Sequence, residues 1–246
     1  MIKIPTPIMP SDEELMNFTK RQLQIHEGLR MDKWSDGLKM LSTPFLVIEI
    51  PKELFYSIVD YEKRDSNKIR EELDKIVGSY FVGDYEKSFF KLITRSGKDL
   101  GVLPVTNAED ILDQMWSSMR LFDDMCYLHR DADACKLIIR PFVDYNINNE
   151  WRVFIKNREV VGITQYDIYN SYKGDINEML HRLTELIALT LNNTDLDIFV
   201  ADYYIETDAT KSMKSHLIEL NPFGLSDPCL LDYNNMNCQI ATHLYR

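Results

Sequence analysis

The sequence predicts an α+β fold, and three observations carry that prediction. Five short runs after Cys135, "KLIIRPFV", "WRVFI", "EVVGITQY", "DIFVADYYI" and "SHLIEL", are rich in β-branched and aromatic residues and bounded by turn formers, as strands are. One long amphipathic stretch, from about Asp175 to Leu191, lies among them, with Ile176, Met179, Leu180, Leu183 and Ile187 at helical spacing. The first half instead mixes short helical patterns with two strand-like runs. Together these imply a mostly antiparallel sheet with a crossing helix, preceded by a second, mixed lobe. The boundary is expected at 135/136, with residues 1–135 as the N-terminal lobe and 136–246 as the C-terminal one.

Taken in order, Ser11 followed three residues later by Glu14 reads as a capping box, opening a helix that carries Leu15, Phe18 and Leu23. Residues Trp34 to Thr43 read as irregular. "FLVIEI" reads as a buried strand ended by Pro51, a residue suited to the first turn of a helix carrying Leu54, Phe55 and Ile58. The charged "DYEKRDSNK" is a solvated linker before a helix from Ile69 to Val77. "SFFKLITRSGKD" is a strand running into a small, polar, glycine-containing loop. Helix signals return from Asn107 to about Met119, with Met115, Trp116 and Met119 as the core stripe.

A chain of 246 residues can bury a substantial core as one large domain or two small lobes. Its net charge of -11, from 28 basic and 39 acidic residues, excludes nucleic acid or an anionic membrane as the main partner. Both require a basic patch that releases counterions. A local basic site remains compatible with that balance. The four cysteines, Cys126, Cys135, Cys229 and Cys238, form no CxxC pair, and no stretch reads as a secretory leader or a membrane span. A cytoplasmic protein with reduced thiols is expected. His129 and His216 have no second histidine at ligand spacing and are expected to be surface or structural residues.

The chemistry gathers around "HLIELNPFG". Strand alternation puts Leu217, Glu219 and Asn221 on one face, with Ile218 and Leu220 on the other. Asp202 interrupts the apolar run "DIFVADYYI", so its carboxylate needs a partner or a cation. If the two strands pair, three oxygen-bearing side chains converge in a set suited to Mg²⁺, which takes few protein carboxylates and completes its shell with water and phosphates. The alternative is an Asp202 bonded to a nearby amide and a Glu219 facing solvent. Lys91 lies in "FFKLI", Arg140 ends "LIIR" and Arg152 lies in "WRVFI". Singly, each is an ordinary ion pair or a snorkelling side chain. Jointly they match a triphosphate, for which guanidinium offers bidentate contacts. The loop Thr94–Asp99, "TRSGKD", contains Ser96 and Lys98 and is suited to cover phosphates with its backbone N–H groups. It lacks the glycine spacing of a P-loop. Tyr166, Tyr169 and Tyr172 are expected half-buried at a sheet edge with their hydroxyls in water.

The stretch "LIIRPFVDYNINNEWRVFIKNREVVGITQYDIYNSY", followed by "DIFVADYYI" and "HLIELNPFGLSDPCLL", resembles the cell division cycle 123 (D123) family. Its members have an ATP-grasp fold and act as assembly factors for eukaryotic translation initiation factor 2. "KLITRSGKD" is similar to the family's lysine strand and phosphate-side loop, and Glu219 stands where eukaryotic members usually carry Asp. The resemblance implies an ATP-grasp-like fold with the nucleotide between two lobes. Lys91, Arg140 and Arg152 would meet the ATP phosphates, backbone near Pro141 and Phe142 would form the adenine hinge, and Asp202, Glu219 and Asn221 would hold Mg²⁺. It further implies a nucleotide-dependent assembly chaperone, a monomer whose protein partner is the gamma subunit of translation initiation factor 2 or a related GTPase. The rival reading is an ATP-grasp ligase or kinase that modifies a peptide, protein or RNA end.

Overall fold

The computed structural model describes residues 11–60, 65–207 and 214–242. Helix α1 (Asp12–His26) begins at the expected capping box: the Glu14 N–H donates to the Ser11 hydroxyl at 3.2 Å, and the Ser11 N–H donates to the Glu14 carboxylate at 2.7 Å. The segment read as irregular contains a short helix, α2 (Asp36–Met40), whose first turn is closed by the Ser35 hydroxyl on Leu38 N. Five residues are too few to show a period, so the capping serine was its only trace. Strand β1 (Leu46–Glu49) precedes α3 (Lys52–Val59) and α4 (Ser66–Val77), which bury the expected Leu54, Phe55, Ile58, Ile69 and Val77.

After β2 (Ser88–Leu92) the helix expected near Asn107–Met119 is α5 (Ala108–Ser117), and a second helix not expected from the sequence, α6 (Met119–Leu128), follows it directly. Ser118 takes an extended backbone between them and caps α6 through its hydroxyl on Leu121 N. That break turns Met119 outward to 66% exposure, while Met115 stays fully buried. The remaining elements are β3 (Lys136–Pro141), β4 (Glu150–Lys156), β5 (Glu159–Gln165), α7 (Ile176–Asn192), β6 (Ile198–Tyr204), β7 (His216–Asn221) and the short β8 (Gln239–Ala241).

Two sheets result. The first has the order β1-β3-β2 and the second β7-β6-β4-β5-β8, with every pairing antiparallel except β5 with β8. The α+β, mostly antiparallel expectation holds. One grouping does not: β3, read with the C-terminal strands, is the central strand of the first sheet. Leu137, Ile138 and Ile139 are all buried, β3 pairs with β1 on one edge and β2 on the other, and the loop 142–149 carries the chain across to the second sheet. β1 is correspondingly an edge strand, with Ile48 buried and Val47 39% exposed, instead of the buried strand expected.

On the second sheet, Trp151 and Tyr203 point away from Arg152 and Asp202. There Trp151 meets the Tyr172 ring edge-on at 5.2 Å, and α7 ties itself down by donating from Arg182 Nη1 to the Glu206 carbonyl at 2.7 Å. Phe154 shares the face of Arg152 and holds the segment after β7 against the sheet through edge-on contacts with Phe223 and Tyr233 at 6.1 and 5.5 Å. That segment lies so close to β5 that a Cβ on Gly162 would stand 2.6 Å from Leu231. Phe154→Ala, which empties a fully buried site, is expected to cost about 3–5 kcal/mol by urea denaturation.

Candidate functional site

Strand register lines up one polar row. Glu219 on β7 faces Asp202 on β6, Asp202 faces Arg152 on β4, and Arg152 faces Thr164 on β5. Directly opposed residues project to the same side of a sheet, so the row shares one face. Asp202 is fully buried and takes Arg152 as a two-pronged partner, Nε on Oδ1 and Nη2 on Oδ2, both at 2.7 Å. Arg152 Nη1 donates to the Asp227 carbonyl at 2.8 Å. Burial works against the guanidinium's charge, but Asp202 beside it raises its pKa above the ordinary value. The amide of Asn221 donates to both acids, at 3.0 Å to Asp202 Oδ2 and 3.3 Å to Glu219 Oε1.

The first sheet supplies cations from the other side. Lys91, 5% exposed on β2, donates to Glu219 Oε2 at 2.7 Å. Lys98 reaches Glu219 Oε1 at 3.5 Å and the Tyr166 hydroxyl at 2.9 Å. Burial pushes the Glu219 carboxyl up, but Lys91 and Lys98 together hold it well below the usual carboxylate range. Burial likewise opposes the charge on Lys98, and Glu219 reverses the effect and raises its pKa. Arg140 on β3 lies 4.8 Å above the Phe89 ring and donates to the Ile218 carbonyl at 3.3 Å.

Two cavities meet at the Lys98–Glu219 pair, which lines both. One is a narrow slot bounded by Phe89, Ser96, Arg140, Pro141, Phe142 and Glu150. The other holds about 720 Å³ and is walled by Arg95, Arg120, Tyr127, Arg152, Tyr166 and Asn221. Of the ten residues singled out in the sequence, Ser96, Lys98, Arg140, Pro141, Phe142, Arg152, Glu219 and Asn221 line one or both cavities. Lys91 and Asp202 stand behind them, each paired to a lining residue. The Phe142 N–H is given to the Lys87 carbonyl at 2.8 Å, so this residue offers the slot its ring and carbonyl instead of an N–H.

The alternative of a solvent-facing Glu219 fails, because the residue is only 8% exposed. An amide partner for Asp202 does exist in Asn221, although Arg152 is its main partner. Two members of the site were not recognised in the sequence. Glu150, two residues before Arg152 on the same strand face, was detectable as the first acid of "EWR". Tyr166 was read as an edge tyrosine. Its ring lies 4.8 Å from both the Lys98 and the Arg152 cations, which makes it the spacer between them. Tyr169 is 86% exposed and Tyr172 is 3% exposed, so neither is half-buried as expected. His216 is structural: its ring packs with Tyr145 and Tyr204, and burial pushes its pKa down to about 4.

The donor set fits a hard cation. Two carboxylates converge on one point, which the Asn221 nitrogen holds here, and a half-turn of that amide would present its oxygen instead. Among the described residues no three His, Cys, Asp or Glu side chains cluster as a cation site, so Asn221 and ligand oxygens would have to complete the shell.

The family model described as D123 matches residues 101–244. The "Cell division cycle protein 123" of Eremothecium gossypii is 34% identical over 110 residues, covering 43% of this chain and 30% of that protein. The "Translation initiation factor eIF2 assembly protein" of Kluyveromyces lactis is 31% identical over 105 residues, covering 41% of this chain and 28% of that protein. The aligned stretch therefore spans less than a third of the length of either relative. The structure of Cdc123 from Schizosaccharomyces pombe superposes with a TM-score of 0.68 at 20% identity, covering 89% of this chain and 96% of that one, which shows a shared fold.

Glu150 gives the site a pH signature. Burial, reinforced by Asp202 and Glu219 and opposed by Lys98 and Arg152, pushes its carboxyl up to about 7. A carboxyl whose pKa is raised by folding binds its proton more tightly in the fold. Its contribution to stability is complete below the ordinary value of 4.5 and is lost as pH rises through about 7. Glu150→Gln, which keeps the shape of the neutral acid, is therefore expected to match the wild type at pH 5 and exceed its stability at pH 8, measured by urea denaturation at both. A difference independent of pH would rule out the raised ionisation.

Proposed function

The chain belongs to the D123 family, and on that premise we propose that it binds ATP with Mg²⁺ between its two sheets and works as a nucleotide-dependent assembly chaperone. Its partner would be a translation initiation factor, as the name of the Kluyveromyces lactis relative suggests. The observation that carries this reading is the meeting of Lys91, Lys98, Arg140 and Arg152 around Glu219, Asp202 and Asn221, where a slot opens into a larger cavity.

In this reading Pro141, Phe142 and Phe89 bound the base in the slot, and the cations stand where phosphates would leave it. Asp202, Glu219 and Asn221 would hold Mg²⁺, which when bound neutralises phosphate charge. Without ligand, the protein's own acids take up the cations: Glu219 holds Lys91 and Lys98, and Asp202 holds Arg152. Once the two acids turn to a metal, Lys98 and Arg152 become available to phosphate oxygens. The exchange makes metal and nucleotide mutually supporting ligands.

Calorimetry with ATP in the presence and absence of Mg²⁺ tests this directly. Binding is expected with the metal and should weaken on the order of tenfold without it, a coupling of about 1.4 kcal/mol. Asn221→Ala is expected to stay folded and lose most of that metal dependence. Asp202→Ala is the less informative change, because it strands Arg152 in the interior at a cost of about 3–5 kcal/mol. A folded wild type that gives no heat with millimolar ATP·Mg²⁺ would remove the proposal.

The size of the second cavity favours one further reading, a ligase or kinase in which a peptide, protein or RNA end enters opposite the phosphates. ADP release stimulated by one such substrate class would support it, and ATP recovered intact with all of them would leave the chaperone reading standing.

A further inference from the structure

We propose that Asp124, an acid on α6 that lines neither cavity, is the positioning residue for the phosphate-side loop Thr94–Asp99; the proposal rests on the nucleotide reading above. Asp124 is fully buried, and among the described residues its hydrogen-bond partners belong to this loop or to its own helix. The Thr94 hydroxyl donates to Oδ2, and Arg95 Nε donates to Oδ1 and Oδ2 at 2.9 and 3.1 Å. Arg95 Nη2 donates to Oδ1 and also to the Arg120 carbonyl, the latter at 3.2 Å. The Tyr127 hydroxyl completes the set at 2.7 Å.

A second strap holds the other end of the loop to the same helix. The Ser118 hydroxyl donates to Asp99 Oδ1 at 2.6 Å, and the Arg120 N–H donates to Oδ2 at 3.4 Å. Between the straps the loop lies flush on α6: a Cβ on Gly97 would stand 3.2 Å from Leu121 Cδ1 and 3.3 Å from Ser118 Cβ. The Leu92 N–H closes the turn at the end of β2 on the Arg95 carbonyl at 3.0 Å. The small, polar sequence "TRSGKD" reads as a glycine-containing loop suited to cover phosphates. The contacts make it a fixed ledge, from which Ser96 and Lys98 project into the site.

The ledge gives a role to a buried, multiply bonded carboxylate that itself lines neither cavity. Loop atoms that contact phosphates only after ordering would lose affinity to that ordering, whereas a loop held beforehand does not. Asp124 acts mainly on the phosphate side, because Ser96 and Lys98 are the loop's only contributions to the slot, whose other walls include Phe89, Arg140, Pro141 and Phe142. Releasing the strap therefore weakens phosphate-bearing ligands far more than the bare nucleoside, most of whose contacts come from outside the loop.

The test compares the wild type with Asp124→Asn, Thr94→Val and Ser118→Ala. Calorimetry reads ATP·Mg²⁺, ligand-observed NMR reads adenosine, and amide exchange reads residues 94–99. Thr94→Val loosens one strap with a modest change, so the test stands if Asp124→Asn fails to fold. Ser118→Ala loosens the other and also removes the cap of α6, so its effect is compared with its loss of stability in urea. The expected result is ATP·Mg²⁺ weakened on the order of tenfold to a hundredfold, adenosine unchanged within about twofold, and faster loop exchange. Equal weakening of both ligands would mean a general structural role, and unchanged ATP affinity despite faster exchange would mean the ledge is irrelevant; either overturns the proposal. A folded wild type that binds no nucleotide removes the nucleotide reading and this one with it, an outcome distinct from both.

Discussion

The ion pair between Lys91 and Glu219 is the constraint on which the arrangement depends. It joins the two sheets through side chains that are 6% and 11% exposed, so water compensates little of either charge. Taking one away would leave the other buried and uncompensated, a loss far greater than the net worth of the pair. The relative placement of β2 and β7 is therefore specified, and β7 brings with it the row Glu219, Asp202, Arg152. Arg140, anchored on the Ile218 carbonyl beside it, adds a second tie of the same kind. A purely apolar contact between the sheets would hold them together without setting which residues meet.

The same pair accounts for how so many charges share a small volume. Lys91, Lys98, Arg140 and Arg152 face Glu219, Asp202 and a Glu150 whose pKa lies near 7, so the centre is close to neutral or slightly positive inside a chain of net charge -11. An anionic ligand approaching this surface meets repulsion at long range and attraction only within the cleft, where salt screens it least. Selectivity for a polyanion then rests on contact geometry more than on steering. Tyr166 contributes to that geometry by spacing Lys98 from Arg152 with one ring between them.

Much of this was legible in the sequence because strand alternation is a strict rule. Alternation put Glu219 and Asn221 on one face, and the register that opposes Asp202 to Glu219 adds the second acid. The register shift beside that pair sets Leu217 opposite Tyr203, so Leu217 leaves the face expected for it. Polar residues inside apolar runs, Lys91 and Asp202 above all, announced that partners would be found. Tertiary placement was not legible. Nothing local distinguishes β3 from the strands after it, because an apolar run buried on both faces reads alike in any sheet. Helix α6 was missed because one capping serine directly after another helix carries too little signal to announce a new one. Asp124 was invisible because its loop partners, Thr94 and Arg95, lie 30 and 29 residues away, beyond the reach of any periodicity.

The end of β7 shows why the acids stand where they do. Had the strand continued, its next residues would have filled the space in front of Asn221. Instead the chain leaves through Pro222 and turns at Gly224, whose φ of +82° lies in a region that side-chain-bearing residues rarely enter. The turn carries Asp227 back over the sheet, where its carbonyl accepts from Arg152 Nη1, and sends Phe223 onto Phe154. One change of direction thus opens the cavity beside Glu219 and Asn221, orients the guanidinium that holds Asp202, and packs the departing chain against the core. A side chain at Gly224 would strain that turn without touching any charged group, so the electrostatics of the row depend on backbone conformation as much as on the acids and bases that compose it.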